Sequence, residues 1–334
     1  IMTLPKSMKA IDIREPGGPE VLVPIECNLP VLGDNDVLIK NSAVGVNRPD
    51  IAQRTGNYPV PPDANPLPGL EVAGEVVEIG KTVSKWSIGD TVTALTHGGG
   101  YAEYTAVNEG HCLVWPNGFD ANHSAAIPET YFTVQYNIFM RAGLASGERI
   151  LIHGGSSGIG HAAIQLSKAK GAEVIATAGS DKKCSFCEGS GADKAINYRE
   201  EDWVKIVKEY TDNQGVDVVL DIVAGDYVNR NLDVLTRDGR YVALALLGGA
   251  NAEINMGRIL RKRLTLLGST LRPQTTEEKT AIADNLQSEV WPLMNAGQVK
   301  PNIYQTFPLE KASEAHQLME SSMHMGKIIL TLDN

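Results

Sequence analysis

Residues 149–160 constrain the fold more than any other stretch of the chain. Arg149-Ile150-Leu151-Ile152 is a short apolar run, and it leads through His153 into Gly154-Gly155-Ser156-Ser157-Gly158-Ile159-Gly160. Residues 162–170 then have helical character. Glycines between a strand and a helix let the backbone turn tightly and approach a pyrophosphate with no Cβ in the way. The helix N-terminus adds unpaired N–H groups and a partial positive charge. The spacing is Gly155-x-x-Gly158-x-Gly160, not the strict Gly-x-Gly-x-x-Gly. Its reading as a nucleotide loop therefore depends on the strands and helices around it.

Downstream of the loop, strands and helices alternate. Apolar runs recur at residues 173–178, 194–198, 216–221, 240–246 and 264–268, mostly separated by amphipathic stretches of helix length such as 201–210 and 226–235. Near-continuous apolar strands alternating with helices predict a parallel sheet covered on both faces. Six such strands fit a doubly wound dinucleotide-binding domain. The first 130 residues differ, being short extended runs cut by Gly, Pro and Asn, with a proline-rich segment at 57–68. That pattern predicts a small β-barrel or sandwich. Beyond 270 the alternation stops: residues 277–295 read as one long helix, 309–321 as another, and 327–332 as a last strand. A length of 334 residues fits two domains. The expected class is α/β.

Composition narrows the partners. The net charge of −10 opposes binding to a phosphate backbone, so nucleic acid is not an expected partner. No apolar run reaches the length of a membrane helix, and the first residues lack secretory or transit character, so a cytoplasmic protein is expected. Four cysteines make no disulfide framework. Cys184-x-x-Cys187 has no second ligand pair at similar spacing and reads as one turn of helix rather than half a zinc site.

The second strand bears on which cofactor fits. An NAD site usually has an acid about 20 residues after the loop, on the adenosine ribose. Here that region is Thr177-Ala178-Gly179-Ser180, followed by Asp181-Lys182-Lys183. A small polar residue and lysines suit a 2′-phosphate, so NADPH is the expected cofactor. A glycine loop of this kind also occurs in short-chain dehydrogenases, but none of the ten tyrosines has a lysine four positions on, as their catalytic pair requires.

Several further segments occur in an order that resembles one family. They are Pro16-Gly17-Gly18-Pro19-Glu20, Gly45-Val46-Asn47-Arg48-Pro49-Asp50, Arg54-Thr55-Gly56-Asn57-Tyr58-Pro59, Pro68-Gly69-Leu70-Glu71-Val72-Ala73-Gly74, Gly98-Gly99-Gly100-Tyr101-Ala102-Glu103-Tyr104, Ala125-Ala126-Ile127-Pro128-Glu129 and Gly326-Lys327-Ile328-Ile329-Leu330. Together they resemble the zinc-free quinone oxidoreductases related to ζ-crystallin, within the medium-chain dehydrogenase/reductase superfamily. The stress-inducible branch is the most similar, through Ala178-Gly179-Ser180-Asp181-Lys182-Lys183. The resemblance implies a GroES-like β-rich catalytic domain made of residues 1–131 and 271–334. A Rossmann NADPH-binding domain at 132–270 would be inserted between them, with the active site in the cleft.

It also implies roles for residues. Asn47 and Asp50 would line the nicotinamide end, and Tyr58 the mouth of the substrate cleft. Tyr136 would contact the cofactor; Ser157, Gly158 and Ile159 would meet the pyrophosphate; Ser180, Lys183 and Tyr198 would grip the 2′-phosphate. Leu246, Leu247 and Gly248, with Ser269, Thr270 and Leu271, would run beside the nicotinamide. Residues 135–137 and 221–225 depart from the commonest family pattern. Where zinc-dependent relatives hold their first metal ligand this chain has Asn47, and Gly69-Leu70-Glu71 replaces their Gly-His-Glu, so no metal is expected. The implied activity is hydride transfer from NADPH to small quinones. Alternatives are an enone or enoyl-thioester reductase, and an NADPH-binding redox sensor of little turnover. A homodimer through the edge strand at 264–270 is expected.

Overall fold

The computed structural model describes residues 4–332. Packing divides the chain into two units. One comprises the chain up to Phe132, Arg272–Asn295 and the stretch from Pro301 onward; the other comprises Thr133–Leu271 and Ala296–Lys300.

The second unit holds a six-stranded parallel sheet in the spatial order Lys194–Asn197, Glu173–Ala178, Arg149–Ile152, Val216–Asp221, Leu235–Ala243, Thr265–Gly268. Chain order runs outward in one direction from Arg149–Ile152 and then reverses from Val216–Asp221. The two central strands thus flank the point where such sheets bind dinucleotides, outside their carboxyl ends. Ile150, Leu151, Ile152, Val218, Val219 and Leu220 have no exposed surface. Burial on both faces is the reason these strands read as unbroken apolar runs. Helices Gly158–Ala169, Asp181–Gly189, Trp203–Tyr210 and Tyr227–Val234 make the crossovers. The expected strand through Leu246 ends at Ala243, and the backbone turns back so that Leu247 N–H donates to the Ile222 carbonyl at 3.2 Å.

The departure seen at 135–137 has a structural counterpart. Gln135–Arg141 is a π-helix, closed by Ala142 N–H donating to the Asn137 carbonyl at 3.0 Å. Such widened turns recur at functional positions.

The first unit is built on a mostly antiparallel seven-stranded sheet. Its path runs Ile303–Pro308, Lys327–Thr331, Asp36–Val46, Glu71–Ile79, Thr91–Leu95, Cys112–Val114, with Tyr104–Asn108 also paired to Asp36–Val46. A hairpin of Ser7–Ile13 and Leu22–Asn28 completes it. The core packs Val37, Ile39, Val44, Val72, Val76, Val92 and Ile328. One helix expected over 277–295 is two, Thr276–Glu289 and Trp291–Asn295. Pro292 lacks the N–H an unbroken helix would use, and the chain bends at Val290.

Candidate functional site

In the second unit the loop leaves no room for a Cβ at Gly154, Gly155 or Gly160. Gly154 has φ +67°, and a Cβ on Gly160 would lie 2.1 Å from the Gly154 carbonyl oxygen. A Cβ on Gly155 would meet Cys187 Sγ at 2.8 Å, so that buried cysteine packs beneath the loop. Ser157 locks the turn: its hydroxyl donates to the Gly154 carbonyl at 2.8 Å and accepts from Gly160 N–H at 3.0 Å. Gly158 and Ile159 open the Gly158–Ala169 helix, where amides have no carbonyl of their own helix to meet. A cradle that only bare backbone can form, at a helix N-terminus, fits a pyrophosphate.

The ends of the next two strands meet beside it. Ser180 caps the Asp181–Gly189 helix, its hydroxyl accepting from Lys183 N–H at 3.2 Å. Tyr198 lies at the end of Lys194–Asn197, its hydroxyl 2.9 Å from where a Gly179 Cβ would be, and Arg199 Nε is 3.4 Å from the same point. The structure therefore brings Tyr198 to Gly179, beside the Ser180 cap whose first helical turn carries Lys183, and adds Arg199, an exposed cation that no sequence pattern marked. The Asp181 carboxylate is engaged by Asn197 Nδ2 at 3.0 Å.

The remaining expected contacts also follow strand ends. Asp221 is fully buried and accepts from Tyr241 Oη at 2.6 Å, Asn231 Nδ2 at 3.1 Å, and the amides of Val223 at 2.8 Å and Ala224 at 3.0 Å. This fixes the 222–225 turn, against which Gly248 N–H donates to the Val223 carbonyl at 2.6 Å. Leu246 and Leu247 on that loop are 56% and 69% exposed, which is unusual for adjacent leucines. Ser269 donates to Asn137 Oδ1 at 2.7 Å, tying the segment of Ser269, Thr270 and Leu271 to the π-helix. Tyr136 is half-buried on that helix, with the Arg141 guanidinium 5.7 Å from its ring centroid.

In the first unit Asn47 and Asp50 meet at the start of the Arg48–Arg54 helix. Asn47 N–H donates to Asp50 Oδ2 at 2.8 Å, and Tyr101 Oη donates to the same oxygen at 3.1 Å. Asp50 Oδ1 has no partner among the described residues. Burial pushes this carboxyl up to about 6 against the pull of those two bonds. Behind Tyr101, His316 Nε2 lies at 2.9 Å, His316 Nδ1 accepts from Arg54 Nη1 at 3.0 Å, and Arg54 pairs with Glu320. Burial and then Arg54 hold His316 down at about 3, so the ring is neutral.

Asn47 is bound at both ends of its amide. Nδ2 donates to Glu71 Oε1 at 2.9 Å, and Oδ1 accepts from Lys327 Nζ at 2.7 Å. Lys327 also donates to Glu71 Oε1 at 2.6 Å. Glu71 Oε2 accepts the Glu129 amide at 2.8 Å. Burial, then Glu71 and Asp50, push the Glu129 carboxyl up to about 8, so it keeps its proton at neutral pH. Tyr58 is half-buried, with the Arg272 guanidinium 5.6 Å from its ring centroid. Burial and then Glu129 raise its hydroxyl, while Arg272 lowers it.

Two family models match this chain, an alcohol dehydrogenase GroES-like domain over 33–117 and a zinc-binding dehydrogenase domain over 158–287. Quinone oxidoreductase of Homo sapiens is 34% identical over 330 residues, covering 98% of each chain. The chain belongs to the quinone oxidoreductase family, within the medium-chain dehydrogenase/reductase superfamily. Among solved structures, Escherichia coli quinone oxidoreductase complexed with NADPH superposes with a TM-score of 0.86, at 31% identity over 97% of this chain and 100% of that one. The CurK enoyl reductase superposes at 0.85, with 27% identity over 98% and 100%.

For a quinone oxidoreductase, the surroundings of Asn47 and Tyr58 bring in Glu71, Glu129 and Lys327, which lie in the matched segments but had no site role assigned, and Arg272, which no motif marked. Glu71, Glu129, Arg272 and Lys327 each reach their partners from distant parts of the sequence. Among the described residues, no group of three or more His, Cys, Asp and Glu is placed to hold a metal ion, and no helix is long and apolar enough to cross a membrane.

Proposed function

We propose that this chain is an NADPH-dependent, metal-independent quinone oxidoreductase acting on small quinones. The observation that carries the cofactor choice is the placement of Tyr198 and Arg199 beside Gly179, at the Ser180 cap whose first helical turn carries Lys183, with Asp181 turned to Asn197. Ser157, Gly158 and Ile159 would hold the pyrophosphate, and Tyr136, Leu246, Leu247, Gly248, Ser269, Thr270 and Leu271 would position the nicotinamide end. When bound, the reduced nicotinamide supplies a hydride.

Metal independence is supported by the Lys327 ammonium, which already donates to both Asn47 and Glu71. A quinone spreads incoming negative charge through its own conjugated system, so it does not need the Lewis acid that alcohol oxidation does. Exposed Leu246 and Leu247 offer an apolar surface to a flat acceptor. Glu129, whose carboxyl burial pushes up to about 8, would be a proton source for the second step of reduction.

In this reading residues 132–270 form the cofactor domain and 1–131 with 271–334 the catalytic domain of a cytoplasmic homodimer. Dimerisation is supported by Thr265–Gly268, an edge strand with Leu266 38% exposed. The test of function is NADPH oxidation, beside NADH, with ortho- and para-quinones, a simple enone and an enoyl thioester. Quinone-dependent oxidation with NADH poor supports the proposal; NADPH binding without turnover by any acceptor refutes it. The similarity to CurK enoyl reductase favours enone or enoyl-thioester reduction as the second reading. That chemistry needs a dependable proton donor. A large loss of enone reduction in Tyr58→Phe, with quinone reduction intact, would support it.

A further inference from the structure

Arg272 is a buried cation with donors to spare. Its side chain is 4% exposed, and Nη1 donates to Gln53 Oε1 at 2.8 Å. Gln53 is itself fixed by donating to the Pro66 carbonyl at 3.0 Å, and Lys279 Nζ pins the Arg272 carbonyl at 2.8 Å. Nε and Nη2 have no hydrogen-bond partner among the described residues. A buried guanidinium with unmet donors is costly, and native structures keep such groups where they serve a ligand. The Tyr58 ring lies beside it, its centroid 5.6 Å from the guanidinium carbon. Arginine's planar fork suits a planar oxygen acceptor, and an aromatic face suits a flat ring.

We propose that Arg272 binds the carbonyl oxygen of the acceptor through Nε and Nη2, with Tyr58 as a wall against the acceptor's ring. This rests on the quinone-reductase reading and adds the residue that receives the developing charge. The acceptor gains one bond to hydrogen and two electrons as it takes the hydride from the nicotinamide C–H bond, which breaks. The new bond is O–H at one quinone oxygen, and the conjugated π electrons shift so that the other carbonyl oxygen, the one held by Arg272, takes the charge of a hydroquinone monoanion, while the nicotinamide is left oxidised. A proton then completes the hydroquinone. Hydrogen bonds that strengthen as charge develops act on kcat more than on KM.

The experiment has a binding arm and a turnover arm. The binding probe is 4-nitrophenol, whose phenolate and phenol differ in colour. Wild-type protein is expected to bind the phenolate and lower the pKa of the bound phenol. Arg272→Met should weaken phenolate binding by about 10- to 150-fold and abolish that shift, with NADPH affinity unchanged. In turnover, Arg272→Met should lower quinone kcat far more than it raises KM, with partial recovery on adding guanidinium ion. Arg272→Lys, which keeps the charge but not the fork, should fall between and serves if the methionine variant does not fold. Phenolate binding that is absent in the wild type, or unchanged in the variants, overturns the proposal. Arg272-dependent phenolate binding without quinone turnover would uphold the site and refute the quinone reading. Quinone turnover indifferent to Arg272 would do the reverse.

Discussion

The ammonium of Lys327 lies 2.6 Å from Glu71 Oε1, with the two side chains 5% and 0% exposed. Asn47 bridges the pair, accepting from Lys327 and donating to Glu71. Gly45 makes the space, because a Cβ there would lie 1.8 Å from Glu71 Oε1. Removing one member strands the other charge. Lys327→Met should cost about 3–5 kcal/mol of stability at pH 7, read as a lowered urea midpoint. Lys327→Met with Glu71→Gln should recover part of the loss. Equal midpoints for the wild type and Lys327→Met would mean that the pair contributes nothing.

Lys183 sits in the first turn of the helix that Ser180 caps, and Arg199 Nε lies 3.4 Å from where a Gly179 Cβ would be. A charged hydrogen bond to a phosphate contributes about 1.5–3 kcal/mol, so Lys183→Ala should weaken NADPH binding roughly 10- to 150-fold and leave NADH nearly unchanged. Arg199→Ala should shift the same ratio in the same direction. Calorimetric titration with both cofactors checks this, and a parallel loss for NADH would count against a 2′-phosphate contact.

Gly160 cannot carry a side chain without moving the Gly154 carbonyl, 2.1 Å from the Cβ it would have. Gly160→Ala should therefore weaken NADPH and NADH alike, by more than about tenfold, because both share the pyrophosphate. Thermal melts would show whether the fold survives; retained affinity for both cofactors would remove the loop from the cofactor site.

Asp50 gives a pH signature. Its carboxyl is raised in the folded state to about 6, by burial foremost, from an ordinary value near 3.8. The folded protein therefore holds this proton more tightly than the unfolded chain. The contribution is fully favourable below about pH 4 and is lost as pH rises through 6, about 3 kcal/mol in all. Asp50→Asn should remove that component, so its stability relative to the wild type should rise between pH 4 and 6. Parallel profiles across that window would contradict the assignment.

Leu266 tests the edge strand. Leu266→Lys should convert a homodimer to monomers in sedimentation, by placing charge where a second strand would pair. A wild type already monomeric would end the dimer proposal.

Local pattern made much of this molecule legible. Residues 149–160 announce a strand, a bare loop and a helix because glycine spacing and apolar runs act within a few residues of one another. The apolar runs at 173–178 and 216–221 read as parallel strands because burial on both faces leaves no polar alternation. Local pattern failed where a neighbour overrides it. The strand expected to reach Leu246 ends at Ala243, since Asp221 and its turn capture the following backbone. The π-helix at Gln135–Arg141 has no period that sequence exposes.

The sequence by itself determined the α/β class and the glycine cradle, both short-range consequences of backbone freedom and hydrophobic period. Tertiary structure alone decided that Lys327 reaches Asn47, that Arg272 reaches Gln53 and Tyr58, and that Arg199 approaches Gly179. Those contacts join residues up to 280 positions apart, or depend on where a strand happens to end. A charge carries no periodicity, and only burial decides whether it is solvated surface or a poised group.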